Sequence, residues 1–172
     1  MNDPSQANSK NESSDESSQE SNQELNLETN VGQDAVALVE EFLRIIMIPD
    51  PAGARAFTSP DLQIEFTGGR KMGDPADCSA FNASRYAWVK KRIERSDLVA
   101  GATAEEAVVY NIGTLHGAWL DGTPFEGNRY VDRYVVKAGQ IVQMSVWNDS
   151  AEWLLVRASL CDAWPSPMAA KS

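Results

Sequence analysis

The chain is 172 residues long, about the length of one domain, and carries 15 Lys+Arg against 25 Asp+Glu for a formal net charge of −10. That balance excludes a protein built to grip phosphate backbones, whose footprint is a basic face, and no apolar run reaches the ~18 residues of a membrane span. Two cysteines, Cys78 and Cys161, cannot make a multi-bridge secreted scaffold, and a single histidine argues against a dedicated zinc site. The acidic, polar start is unlike a secretory signal or transit peptide. The expectation is a cytoplasmic protein with one sizeable core, no nucleic-acid or membrane partner and no metal.

Residues 1–30 hold seven acids (Asp3, Glu12, Asp15, Glu16, Glu20, Glu24, Glu28) against Lys10, so they carry −6 of the −10. Met1, Ala7, Leu25 and Leu27 are their only apolar side chains. Such a segment cannot bury enough surface to offset the entropy of ordering it, so it reads as a disordered acidic tail. The domain spans 31–160. Residues 161–172, with Pro165 and Pro167, read as a flexible end.

From Asp34 onward, Val36, Val39, Phe42, Leu43, Ile46 and Met47 fall at helical spacing, and Pro49 stops the run. Asp50-Pro51 sets a cap and a first-turn proline for a short helix to about Thr58. Leu62–Phe66 alternates as a strand, ended by Gly68-Gly69. Asp74-Pro75 repeats the cap signature and predicts a long helix to about Arg95, with Phe81, Tyr86, Trp88, Val89 and Ile93 on its apolar face. Lys90, Lys91, Arg92 and Arg95 then read as a solvated basic helix end.

After Asp97 the period becomes two. Strands are expected over 98–102, 105–120, 125–137 and 140–148, with turns at Asp121-Gly122-Thr123 and Ala138-Gly139. Asp149-Ser150 opens a last short helix to about Ala158. The order predicts an α+β fold: a curved antiparallel or mixed sheet with three helices across it and a short C-terminal helix.

Strand 125–137 places Asn128, Tyr130, Asp132, Tyr134 and Val136 on one face. A carboxylate between two tyrosines suits a ligand pocket better than a plain core, because tyrosine joins an apolar ring to a polar tip. Strand 105–120 carries Tyr110, Ile112, Thr114 and His116 on one face and Asn111, Gly113, Leu115, Gly117 and Trp119 on the other. Neighbouring strands lie about 4.8 Å apart, so His116 and Asp132 can share a face if the register allows. A desolvated carboxylate can serve as a base toward an acidic C–H or O–H, with an imidazole to shuttle the proton. The alternative is a half-exposed histidine and a surface ion pair of Asp132 with Arg129 or Arg133.

The run EGNRYVDRYVVKAGQI (Glu126–Ile141), continued by VWNDSAEWL, resembles the last two strands and final helix of SnoaL-like proteins. These belong to the nuclear transport factor two-like (cystatin-like α+β barrel) superfamily, and the resemblance spans about Val31 to Leu160. It implies a cone-shaped sheet around a hydrophobic cavity, chemistry without metal or organic cofactor, and a homodimer. Asp132 stands seven residues before Gly139 and His116-Gly117 lies on the preceding strand, which match the acid–base positions of the polyketide-cyclase branch. The Arg-x-Asp of the epoxide-hydrolase branch is replaced by Thr114-Leu115-His116.

The resemblance therefore implies a lyase, cyclase or isomerase acting on a hydrophobic, aromatic or polycyclic, small molecule, lignin-like phenolics included. Asp132 and His116 are the expected catalytic pair. Tyr130, Tyr134, Tyr110 and Asn148 are expected to bind substrate oxygens. Trp88, Tyr86 and Trp147 are candidates for the apolar wall, with plain core positions as the alternative, and Arg85 either faces a ligand acid or stays solvated. The competing reading is a non-catalytic binding or dimerisation module of the same fold. A protein-transport or scaffolding role has only the acidic tail in its favour.

Overall fold

The computed structural model describes residues 32–160. The two tails, with Cys161, lie outside the described residues. Helix α1 (residues 32–46) buries Ala35, Val39, Phe42 and Leu43, the helical stripe expected from their spacing. Helix α2 (Pro51–Ala54) is capped by Asp50, whose carboxylate accepts the Gly53 N–H at 2.9 Å, and a 3-10 turn (Arg55–Phe57) follows. Strand β1 (Thr58–Phe66) alternates buried Leu62, Ile64 and Phe66 with exposed residues. Gly68 and Gly69, at φ of +76° and +73°, turn the chain into the short strand β2 (Arg70–Met72), at little strain because neither has a Cβ.

Helix α3 (Pro75–Ala83) begins at a capping box. The Asp74 carboxylate accepts the Ala76 N–H at 2.7 Å, and the Asp77 carboxylate accepts the Asp74 N–H at 3.2 Å. The expected continuation to Arg95 is corrected here. The helix ends at Ser84, whose hydroxyl donates to the Phe81 carbonyl at 2.7 Å, and strand β3 runs from Tyr86 to Ala100. Tyr86, Trp88, Val89 and Ile93 are aromatic or β-branched and suit a pleated strand. Pairing along nearly all of β4 (Glu106–Trp119), from Trp88↔Ala118 to Ala100↔Ala107, outweighs the local helical spacing. The short strand expected over 98–102 is the end of β3.

Strands β5 (Pro124–Lys137) and β6 (Gln140–Asn148) complete a meander, and α4 (Ser150–Arg157) follows. The sheet order is β2-β1-β6-β5-β4-β3, with β1 and β6 parallel and the other neighbours antiparallel. The result is an α+β fold: a curved, unclosed mixed sheet with four helices. The main core joins α1 to β1, β5 and β6 through Phe42, Leu43, Ile64, Tyr134, Ile141 and Val146. A second cluster at the other end joins Tyr86, Leu115, Trp119, Phe125 and Tyr130.

Register decides the faces. Tyr130, Asp132 and Tyr134 pair with Asn148, Val146 and Met144 across β5–β6, so these six residues share the inner face. Across β4–β5, Asp132 pairs with Asn111 and Tyr130 with Gly113. The inner face of β4 is therefore Asn111, Gly113 and Leu115, and Tyr110, Ile112, Thr114 and His116 are turned outward. This corrects the expected sharing of a face by His116 and Asp132. A slip of one residue exchanges the two faces of a strand.

Candidate active site

The inner face of the sheet and helices α1 and α3 enclose a cavity of about 310 Å³. Phe42, Leu43 and Met47 of α1 and Phe66, Met144 and Val146 of the sheet make much of its wall apolar. Asp132 is the sole carboxylate among the lining residues and is only 1 % exposed.

Three side chains meet at Asp132. The Lys91 ammonium contacts Oδ2, and the Tyr134 hydroxyl donates to the same oxygen at 2.9 Å. Oδ1 is buried without a hydrogen-bond partner. Lys91 Nζ also lies 4.1 Å from the centroid of the Tyr130 ring, a cation–π contact. The bulge between Ile93 and Arg95 lies just beyond this inward-facing lysine on β3.

The cavity tyrosines already donate their hydroxyl hydrogens within the protein. Tyr130 donates to Asn111 Oδ1 at 2.7 Å; Asn111 Nδ2 donates to Ser96 Oγ at 3.0 Å, and Ser96 to Glu40 at 2.8 Å. Tyr86 donates to Ser150 Oγ at 2.6 Å, and the Ser150 N–H donates to Asn148 Oδ1 at 3.1 Å. Burial raises the Tyr134 hydroxyl well above the ordinary phenol range, and the Asp132 charge adds to it; Tyr130 is raised by the same two causes. Both therefore stay neutral. Burial pushes the Cys78 thiol on α3 up to about 12, with the charges of Asp77 and Asp132 adding to it.

The expected site residues separate into two groups. Asp132, Tyr130, Tyr134, Tyr86, Trp88 and Asn148 line the cavity. His116 stands outside the lining, opposite Glu126 across β4–β5, with its ring edge-on to Trp88 at 5.9 Å between centroids. Tyr110 pairs with Arg133 on the outer face, and Trp147, 52 % exposed, projects there too. Arg85 stacks over Phe81 at 4.9 Å from the ring centroid and does not line the cavity. Helical spacing over 86–95 puts Lys91 with the solvated basic residues, so a helix there gives no signal for it. In a strand reading it falls two positions before Ile93, on the inward side. Among the described residues no group of three or more His, Cys, Asp or Glu side chains is placed to hold a metal.

A curved sheet closed by helices over an apolar, carboxylate-bearing cavity is the NTF2-like fold, in its SnoaL-like form. An NTF2-like protein of unknown function from Burkholderia pseudomallei superimposes with a TM-score of 0.57 at 18 % identity, covering 72 % of this chain and 95 % of that one. A provisionally named polyketide cyclase from Xanthomonas campestris pv. campestris gives 0.55 at 16 % identity, covering 72 % and 96 %. A provisionally named SnoaL-like polyketide cyclase from Jannaschia sp. CCS1 gives 0.55 at 16 %, covering 73 % and 92 %. No protein-family model matches the chain, and no curated protein sequence does. Among the described residues no helix is long and apolar enough to cross a membrane.

Proposed function

We propose that the chain is a cofactor-independent acid–base enzyme of the lyase, cyclase or isomerase type, acting on a hydrophobic, aromatic small molecule in the cavity. The single observation that carries this reading is the buried Asp132 carboxylate, with Oδ2 held by Lys91 and Tyr134 and Oδ1 without a partner. A buried acceptor without a partner is costly, and a proton taken from a substrate carbon or hydroxyl would supply the missing bond. Tyr134 keeps the carboxylate oriented, and the apolar wall keeps water from competing for the proton.

Exchange of carbon-bound hydrogen tests this directly. In D2O, NMR would follow loss of the α-protons of 2-tetralone, an aryl-fused ketone of cavity size. Wild type should accelerate the exchange, and Asp132→Asn should lose at least about a hundredfold. Saturable binding of the ketone with no exchange above buffer would overturn the reading in favour of a binding module. That second reading draws support from the cavity itself, whose lining offers no second carboxylate and no histidine.

Pairing of two copies is proposed as well. Its support is an apolar row across three strands of the outer face, Ile112, Val131 and Trp147, with Val131 and Trp147 37 % and 52 % exposed. Sedimentation velocity should show a dimer that Val131→Glu dissociates.

A further inference from the structure

The proton chemistry proposed above has an electrostatic cost that one residue is placed to remove. Moving a proton from a neutral substrate to Asp132 transfers a negative charge from the carboxylate to a substrate oxygen. In an apolar cavity a new, unpaired anion is strongly disfavoured. The oxygen therefore needs a donor beside Asp132. Tyr130, Tyr134 and Tyr86 already give their hydroxyl hydrogens to Asn111, Asp132 and Ser150. The Lys91 ammonium has three N–H donors and gives one to Asp132. It is also the more accessible half of the pair, its side chain 16 % exposed against 1 % for Asp132. Both side chains line the cavity.

We propose that Lys91 is a catalytic residue of this site: the shared counter-ion that pairs with Asp132 before proton transfer and with an enolate or phenolate oxygen of the substrate after it. The step balances. The substrate C–H or O–H bond breaks, its electron pair comes to rest on the substrate oxygen, and the proton forms a new O–H bond on Asp132. The site holds one positive and one negative charge on both sides of the step. The Tyr130 ring face holds the ammonium in place while its anionic partner changes. The substrates that fit are those whose conjugate base is an oxyanion, namely ketones with acidic α-hydrogens and phenols. The proposal rests on the acid–base reading for its chemistry, but the affinity of Lys91 for an oxyanion can be measured without turnover.

The probe is 4-nitrophenol, whose phenolate has its own visible absorption band, titrated into the full-length protein and read by difference spectroscopy. Wild type should bind it with the phenolate band developed. Lys91→Met should lose that band and at least tenfold in affinity at alkaline pH, while Lys91→Arg should retain both. Asp132→Asn should shift the other way, with at least tenfold tighter binding of the phenolate, because the competing anion is gone. Should Lys91→Met fail to fold, the double variant Lys91→Met/Asp132→Asn carries no buried charge at the pair, and its loss is read against Asp132→Asn alone. Failure of wild type to bind the probe, or binding as the neutral phenol in every variant, would overturn the proposal. So would equal phenolate binding with and without Lys91. If Asp132→Asn tightens phenolate binding while wild type shows no hydrogen exchange, the anion site stands and the acid–base reading falls.

Discussion

The buried ion pair makes its strongest demand on stability. Lys91→Met keeps the length and apolar stem of the side chain and removes the ammonium, leaving a carboxylate that is 1 % exposed with the Tyr134 hydroxyl as its remaining partner. Breaking a buried pair by removing one member typically costs about 3–5 kcal/mol, because a charge is left without compensation. The surviving Tyr134 bond and the partial exposure of the lysine place the expected loss near the lower end, about 3 kcal/mol. The surface pair Lys71–Glu65, with side chains 74 % and 48 % exposed, sets the contrast. There the same substitution should cost no more than about 1 kcal/mol. Urea unfolding measures both through the shift of the midpoint at constant slope. The double variant Lys91→Met/Asp132→Asn should recover most of the loss, because no buried charge is then left without its partner. A Lys91→Met protein within about 1 kcal/mol of wild type, or a double variant no more stable than the single one, would refute the account of Asp132 as a charge that depends on its ammonium.

Other substitutions separate the outer face, the sheet and the cavity. His116→Ala should leave ligand binding and hydrogen exchange in the cavity unchanged, since the ring stands outside it; a loss of either above about threefold, or roughly half of 1.4 kcal/mol, would put the histidine back into the site. Gly113→Ala should destabilise by about 2 kcal/mol or more, because a Cβ there would lie 2.1 Å from the Arg92 carbonyl oxygen of the paired strand. Gly122→Ala, at φ +82° with open space around it, should cost only the local backbone strain, about 1 kcal/mol. Thermal unfolding ranks the two. Cys78 should resist alkylation. With its thiol moved from 9.0 to about 12 by burial, the thiolate fraction near neutral pH falls about a thousandfold against the unfolded chain. The raised thiol favours the folded state fully below about pH 9, and that contribution is lost as pH rises towards 12. Peptide mapping after iodoacetamide treatment reads the protection, and labelling of Cys78 as fast as in urea would contradict it.

Local chemistry alone determines much of this protein, without any tertiary contact. The Asp50-Pro51 and Asp74-Pro75 steps start helices because a carboxylate cap and a fixed proline φ act within one turn. The alternation of Tyr130, Asp132 and Tyr134 puts the three on one face because a strand has period two. The run from Glu126 to Ile141 carried enough of the hairpin to point to the SnoaL-like fold that the solved structures share. Two matters were decided only by pairing between distant segments. Residues 86–95 carry apolar side chains at spacings that fit a helix as well as a strand. Hydrogen bonding to β4, with its backbone groups already held by β5 on the other side, made them a strand and turned Lys91 inward. The face of His116 depended on the register of β4 against β5 and on the irregularity between Leu115 and His116. Neither has a local signature, because a register is a relation between two chains of backbone donors and acceptors, and one residue of slip moves every side chain to the opposite face. Periodicity in a single segment shows that two faces exist. Which face meets the cavity is set by the strand beside it.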